Sequence, residues 1–342
     1  MDKKHLILVT GGTGFLGSYL LRKLILDGYT RIRALKRPSS DLSLVQDIQD
    51  KIDWVETDIL DVLGLEDAMK GVRQVYHCAA VVSFFPKENK LMKKINAEGT
   101  ANVVNAALAE NIDKMVFVSS IAAIGRNKKT THINENVKWE NSPLNTAYAK
   151  SKYLAEKEVW RGIAEGLRAV IINPSVIIGS GFWQSGSTQL FYEVWKGLKY
   201  FPQGATGFVD VRDVTDLMVK MMESDISGER FIANGANLSY KDFFSKIAKA
   251  IHKTPPSKPV TPLIQAIAWR AARIQSALTG KKPFITKETA TISARSFQFD
   301  NSKSTQFFQF NYRPIEQTIQ ATAAQLLEAA HAQFKPLMLD FE

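Results

Sequence analysis

Short apolar, β-branched runs alternate with longer stretches of helical spacing across residues 5–173. His5–Thr10, Ile32–Leu35, Ile52–Glu56, Gln74–His77, Met115–Ser119 and Ala169–Asn173 are runs of strand length and predict strands. Between them, Phe15–Asp27, Leu63–Met69, Lys90–Ala109 and Ala147–Ala164 predict helices. Strict alternation of the two means βαβ units, hence an α/β fold on a doubly wound parallel sheet with helices on both faces. After Asn173 the rhythm breaks. Residues 179–207 are rich in Gly and aromatics, Gly207–Met222 returns to strand then helix, and Phe231–Ala233 predicts one more strand. A Pro-rich break at 254–262 precedes an amphipathic helical stretch, Leu263–Leu278. The sheet is therefore interleaved with a smaller, mostly helical lobe made of C-terminal pieces.

Composition narrows this picture. The chain has 342 residues, 45% of them hydrophobic, enough for a large buried core and too apolar for a disordered polymer. The single cysteine, Cys78, excludes an internal disulfide framework and a cysteine-based zinc site. Its scarcity fits a reducing compartment. The first apolar run, Leu6–Val9, is too short for a signal-peptide core, and no run reaches the roughly 18 apolar residues of a membrane span. A soluble, cytoplasmic protein is expected. The formal net charge is +10, of which +7 falls in residues 241–342. That basic third is either a solvated face or an attraction for an anionic partner. Lys128–Lys129 and Lys281–Lys282 are mere pairs, so no nucleic acid is expected. His132 and His252 lack partners at ligand spacing, so no metal is expected.

The sharpest local signal is Thr10-Gly11-Gly12-Thr13-Gly14-Phe15-Leu16-Gly17, which follows a strand and opens a helix. Glycine here permits a sharp turn and a close backbone approach to pyrophosphate, and the helix N-terminus offers free N–H groups to it. A Rossmann-type dinucleotide site is the reading. An NAD site usually has a carboxylate at the tip of the second strand to hold the ribose 2′-hydroxyl. Here the tip reads Lys36-Arg37-Pro38-Ser39-Ser40, two cations suited to a 2′-phosphate. NADP(H) is preferred, with NAD(H) the alternative.

Across nearly its whole length the chain resembles the extended short-chain dehydrogenase/reductase (NAD-dependent epimerase/dehydratase) family. The resemblance rests on TGGTGFLG at 10–17, Asp58-Ile59, HCAA at 77–80, Asn96-x-x-Gly99-Thr100, VSSIAAIG at 118–125, Tyr148-Ala-Lys-Ser-Lys152, NPSVIIG at 173–179 and FVDVRDV at 208–214. Its loops are most similar to the dihydroflavonol-reductase and hydroxysteroid-dehydrogenase branch. The resemblance implies a catalytic set of Ser120, Tyr148 and Lys152. It also implies a cofactor site of Gly11, Thr13, Gly14, Phe15, Leu16, Gly17, Asp58, Ile59, Ala79, Ala80, Asn96, Ser119, Pro174, Ser175 and Val176, joined by Lys36 and Arg37. It places an NADP-binding domain over 1–178, completed by about 208–235 and 296–311. The substrate lobe would then be 179–207 with 236–295 and 312–342. Homodimers are common in the family.

The chemistry is demanding. A phenol holds its proton to pKa near 10, and bringing that near 7 takes about 4 kcal/mol of preferential phenolate stabilisation. A lysine one turn along the same helix supplies positive charge. Tyr19/Lys23, Tyr148/Lys152, Tyr153/Lys157 and Tyr192/Lys196 all have this spacing. Tyr148 and Tyr153 share a helix but lie about 140° apart around it, so only one faces the cofactor. The helix-start signal Pro143-Leu144-Asn145-Thr146 and the family match select Tyr148, as general acid in reduction and general base in oxidation. Ser119 competes with Ser120, and the family pattern selects Ser120.

Departures from relatives matter as well. Sugar-nucleotide 4,6-dehydratases carry Asp-Glu where this chain has Ile121-Ala122, so water elimination is not expected. Phe84, Phe85, Phe182, Trp183 and Phe191 are candidates for an apolar or aromatic carbonyl pocket, or else are core. Arg212 is either a phosphate ligand or half of an ion pair with Asp210 or Asp213. Leu263–Leu278 either covers the substrate pocket or touches a membrane surface. The expected activity is NADP(H)-dependent hydride transfer with a ketone, aldehyde or secondary alcohol. The alternatives are a nucleotide-sugar 4-epimerase with tightly held NAD and a non-catalytic nucleotide sensor.

Overall fold

The strands longer than two residues in the computed structural model fall, in chain order, at β1 Leu6–Thr10, β2 Ile32–Lys36, β3 Asp53–Glu56, β4 Val72–His77, β5 Lys114–Val118, β6 Ala169–Pro174, β7 Val176–Ile178, β8 Ala205–Asp210, β9 Glu229–Ala233 and β10 Ala236–Ser239. The structure describes residues 3–126, 130–280 and 282–341, so Lys128, Lys129 and Lys281 of the two basic pairs lie outside the described residues. The principal helices are α1 Phe15–Leu26, α2 Val62–Met69, α3 Gly99–Ala109, α4 Ala147–Ala164, α5 Val211–Glu223, α6 Tyr240–Ala250, α7 Pro262–Thr279 and α8 Ile315–His331.

Seven strands form one sheet in the order β9-β6-β5-β4-β1-β2-β3, every pair parallel. Alternate residues of each inner strand serve opposite faces. Ile7, Val9, Val116, Val118, Val170 and Ile172 join one core, while Leu8, Met115, Phe117, Ala169 and Ile171 join the other. Burial on both faces is why these strands read as continuous apolar runs. The chain leaves β1 in one direction along the sheet and β4 in the other, so their C-terminal loops diverge. Open sheets bind ligands at such a switch point.

The predicted α/β doubly wound sheet is what forms, and α4 spans the predicted residues. One departure bears on the site. At Ser175 the chain steps out of the main sheet, and β7 pairs instead with β8, which pairs with β10 in a separate three-stranded sheet. Its apolar face packs on α6 and α8 through Phe208, Phe243, Ile247, Ile319 and Leu326. A second departure is α7. Its apolar stripe, Leu263, Ile267, Ile274 and Leu278, is exposed rather than packed. No helix among the described residues is long and apolar enough to cross a membrane.

Candidate active site

The turn after β1 is a backbone cradle. Gly11 has φ +71°, and a Cβ there would lie 2.7 Å from the Ala79 nitrogen in the loop after β4. At Gly17 a Cβ would meet the Gly11 carbonyl oxygen at 2.1 Å. Helix α1 starts on Gly14, which offers no capping side chain, so its first N–H groups keep their donors for an anion. Further along the sheet edge, the Ser119 and Ser175 hydroxyls are buried without a hydrogen-bond partner in the protein. Buried polar groups are ordinarily satisfied, so these two fit a polar ligand lying across β5 and β6. Cradle and orphan hydroxyls together accommodate a dinucleotide.

A buried relay ties the two diverging loops together. The Ala79 N–H donates to Thr10 Oγ1 (3.2 Å), which is 2.7 Å from His77 Nδ1. His77 Nε2 is 2.9 Å from Thr100 Oγ1, whose proton goes to the Asn96 carbonyl (2.6 Å). Thr100 must therefore accept from Nε2–H, and Thr10 must donate to Nδ1. Burial pushes the imidazole down to about 3, with the Lys152 charge adding to the effect, so it stays neutral. His77 is structural. Asn96 sits in a π-helical turn, Lys94–Glu98, that interrupts the predicted continuous helix. From there its amide bonds Val81 N–H and C=O and the Ser151 hydroxyl at 2.7–2.9 Å, pinning the loop after β4 to α4.

Helix α4 opens on Thr146, which accepts from Ala149 N–H (3.0 Å), and this sets the rotation of the helix. Tyr148 is half-buried, its ring 5.8 Å from that of Phe84, and its phenol faces the Ser120 hydroxyl. The Ser120 hydroxyl also accepts from Ala122 N–H at 3.1 Å, and the Asn173 amide holds the Ser120 carbonyl at 2.9 Å. Burial raises the phenol pKa, while the Ser120 hydroxyl and the Arg126 charge oppose that rise. One turn on, Lys152 is buried. It donates to the Val118 carbonyl (2.7 Å) and lies 4.6 Å over the Phe117 ring. Burial pushes its ammonium down to about 8 against the opposing charge of Glu156.

The other Tyr/Lys pairs go elsewhere. Tyr153 stacks on Trp139 at 4.3 Å, Tyr192 packs on Trp195 and Phe334, and Tyr19 is buried with its hydroxyl bonded to Ser180 and Leu339. The Cys78 thiol is pushed up to about 12 by burial, which keeps it inert as a nucleophile. Lys36 at the β2 tip pairs with Glu56 of β3 at 3.1 Å, and Arg37 is exposed in the turn closed by Ser40. Asp58 caps its own turn through Leu60 N–H, and Ile59 packs against Gly99. Pro174 and Ser175 are buried at the step between sheets, with Val176 half-buried beside them. Ala79 is half-buried and Ala80 exposed at the cradle.

One expectation is corrected here, and of the two readings of Arg212 the ion pair is the one that forms. Trp183 and Phe191 do not wall a pocket, because both are fully buried among Phe208 and Phe243 in the core of the lobe. Large rings next to apolar helix faces gain more from that core than from a solvent-facing wall. Arg212 is not open to a phosphate, since Asp210 binds it bidentately at 2.7 and 3.0 Å. Of the aromatic candidates, Phe84, Phe85 and Phe182 remain half-buried. The lobe reaches the site through its 282–293 segment. Lys282 pairs with Glu88 (2.8 Å), and the Glu288 carboxylate accepts from Ala147 N–H beside Tyr148. Sequence reasoning missed Arg126, a buried cation six residues past Ser120. Only its burial, invisible in the sequence, sets it apart from other surface-type arginines.

A parallel sheet with an anion cradle at its switch point, and a Ser–Tyr–Lys group at its carboxyl edge, defines a nucleotide-binding α/β enzyme. Residues 7–233 match the family described as the NAD dependent epimerase/dehydratase family. A putative dihydroflavonol 4-reductase from Synechocystis sp. is 30% identical over 321 residues, 91% of this chain and 91% of that one. Among solved structures, the crystal structure of gox2253 has a TM-score of 0.81 and 28% identity, covering 95% of this chain and 98% of that chain. A dTDP-glucose 4,6-dehydratase from Bacillus anthracis, solved in complex with NAD, shares the fold at TM-score 0.75 and 19% identity, covering 96% and 98%. The chain belongs to the NAD-dependent epimerase/dehydratase family of extended short-chain dehydrogenases/reductases and is an NAD(P)-dependent oxidoreductase.

Proposed function

We propose that this enzyme is an NADP(H)-dependent carbonyl reductase, acting in reverse as a secondary-alcohol dehydrogenase, with Tyr148 as general acid and base. What supports the reading is the Ser120 hydroxyl set against the Tyr148 phenol, with Lys152 one helical turn further along α4. Burial keeps the phenol protonated, the state that reduction needs. Ser120, held by Ala122 N–H and by Asn173, orients the substrate oxygen against that proton. Lys152 adds the positive charge that stabilises the phenolate left behind and holds the nicotinamide ribose. When bound, NADP(H) supplies the hydride. The cradle from Gly11 to Gly17 takes the pyrophosphate, Arg37 and Lys36 the 2′-phosphate, Asp58 and Ile59 the adenine side, and Ser119 and Ser175 the nicotinamide side.

Residues 1–178, completed by about 208–235 and 296–311, hold the nucleotide in this reading. The remaining pieces form the substrate lobe. Phe84 against Tyr148, with Phe85 next to it in the chain, favours a ketone or aldehyde with an apolar body. The epimerase alternative draws support from the shared fold alone, and the β2 tip lacks the carboxylate that suits tightly held NAD. The test is to identify any nucleotide released from the purified protein, then follow NADPH and NADH consumption with aromatic carbonyls and with UDP-glucose. Exchangeable nucleotide and NADPH-dependent carbonyl reduction are expected. Retained NAD with sugar epimerisation and no net cofactor turnover would overturn the assignment.

A further inference from the structure

Among the described residues two arginines are buried, Arg126 and Arg212, and a third, Arg230, is half-buried. Arg212 is forked onto Asp210, and Arg230 reaches Glu156 and the Glu135 carbonyl. Arg126 is 7% exposed, yet its Nε has no hydrogen-bond partner, and no carboxylate among the described residues forms an ion pair with it. Its guanidinium instead lies over the rings of Phe297 and Phe299, at 5.3 and 5.8 Å. Aromatic faces stabilise a cation but accept no N–H hydrogen bond in its plane, so the donor fork keeps unmet capacity. An unpaired charge held out of water is expensive, so an anion brought to it from outside is stabilised there.

The surroundings place that capacity at the reacting end of the site. Arg126 lies three residues beyond the short helical turn Ile121–Ala123 that follows Ser120. Gly125 before it is wedged so tightly that a Cβ would lie 2.0 Å from the Lys138 carbonyl oxygen, which fixes the backbone at that point. The aromatic wall is fixed from the other lobe, by Phe297 N–H on the Ala205 carbonyl (3.0 Å) and Phe299 N–H on Asn237 Oδ1 (2.9 Å). The charged group's electrostatic neighbours are the phenols of Tyr148 and Tyr240. Burial pushes the guanidinium down to about 10, so it remains charged at neutral pH.

We propose that Arg126 binds a carboxylate on the substrate, beside the oxygen that Ser120 and Tyr148 receive, so that the enzyme takes oxo acids or hydroxy acids with an apolar body. A planar carboxylate matches the guanidinium fork and supplies the missing counter-charge. This deepens the reductase reading and rests on it for the position of the reacting oxygen.

The test uses 2-oxo-4-phenylbutanoate and 3-oxo-3-phenylpropanoate, each compared with its methyl ester. Binding to the full-length protein saturated with NADP⁺ is measured by calorimetry, and turnover with NADPH by absorbance. At least one acid is expected to bind tenfold or more tightly than its ester. Arg126→Met should erase that preference, with most of the loss on the acid, and Arg126→Lys should retain part of it. Equal binding of acid and ester, or binding of neither acid, overturns the proposal. Equal losses on both members of a pair in Arg126→Met also overturn it, and assign the charge to tuning of Tyr148. If Arg126→Met fails to fold, the acid-to-ester ratios of the native protein and of Arg126→Lys still decide. Arg126-dependent acid binding without reduction keeps this proposal and removes the reductase reading. Reduction of esters and acids alike does the reverse.

Discussion

Two tyrosines five positions apart on α4 illustrate how much one residue's surroundings decide. Tyr148 meets Ser120 and Phe84, while Tyr153 lies flat on Trp139. Tyr148→Phe is expected to lower turnover by roughly 10²–10⁴, the usual contribution of a positioned acid/base, with nucleotide affinity retained. Tyr153→Phe keeps its stacked ring and should be close to silent in the same steady-state assay. At the β2 tip, Lys36 already has Glu56, a half-exposed pair of the kind that contributes about 0–1 kcal/mol. Lys36 can therefore turn to a phosphate at little loss, and Arg37 is exposed beside it. Lys36→Asp combined with Arg37→Ala should weaken NADPH by about 2–4 kcal/mol, as expected for two charge-assisted contacts, and reverse the preference over NADH. Fluorescence titration with both nucleotides checks this, and equal affinities in the parent protein count against the 2′-phosphate site.

The strand-end relay on β4 makes a prediction about acid. An unfolded histidine titrates near 6.5, whereas His77 in the fold is pushed down to about 3 by burial. Between those values the unfolded chain binds the extra proton, so the contribution is whole above about pH 6.5 and is lost as pH falls. Its slope is about 1.4 kcal/mol per pH unit. Asp213, pushed up to about 6 by burial, acts in the opposite sense between about pH 4 and 6, because there the folded state holds the proton. The informative measurement is therefore a difference. Urea midpoints of the parent and of His77→Asn, followed from pH 7 to 4, should converge on acidification, and parallel curves would refute the neutral-histidine assignment.

Across the whole molecule, the lobe over the sheet is held by aromatic packing rather than shaped by it into a pocket wall. Trp183 and Phe191 sit with Phe208 and Phe243 in a core that also takes residues of α6 and α8. Trp183→Ala is accordingly expected to lower unfolding free energy by about 3–5 kcal/mol, read from a urea midpoint. Nucleotide affinity should be unchanged in the material that remains folded. A selective rise in KM for apolar carbonyls, at full stability, would return Trp183 to the pocket. The exposed stripe on α7 belongs to this scale as well, because its periodicity is that of a buried helix and only the arrangement of the lobe leaves it uncovered.

Local rules carried the reading of this chain a long way. Alternating strand and helix runs foretold the parallel sheet, since backbone geometry and side-chain period depend on near neighbours in sequence. The glycine turn was legible for the same reason: its conformation is a property of residues 10–17 themselves. Long-range contacts were not legible. The approach of Gly11 to Ala79, the pairing of Lys36 with Glu56, the π turn that aims Asn96 at Val81 and Ser151, and the step of the chain at Ser175 into a second sheet all join distant segments. A hydrophobic period tells which positions prefer burial but not what buries them. That is why Trp183 went into the core rather than a pocket wall, and why Arg126, polar by type, gave no sign in the sequence of lying beneath two phenylalanines.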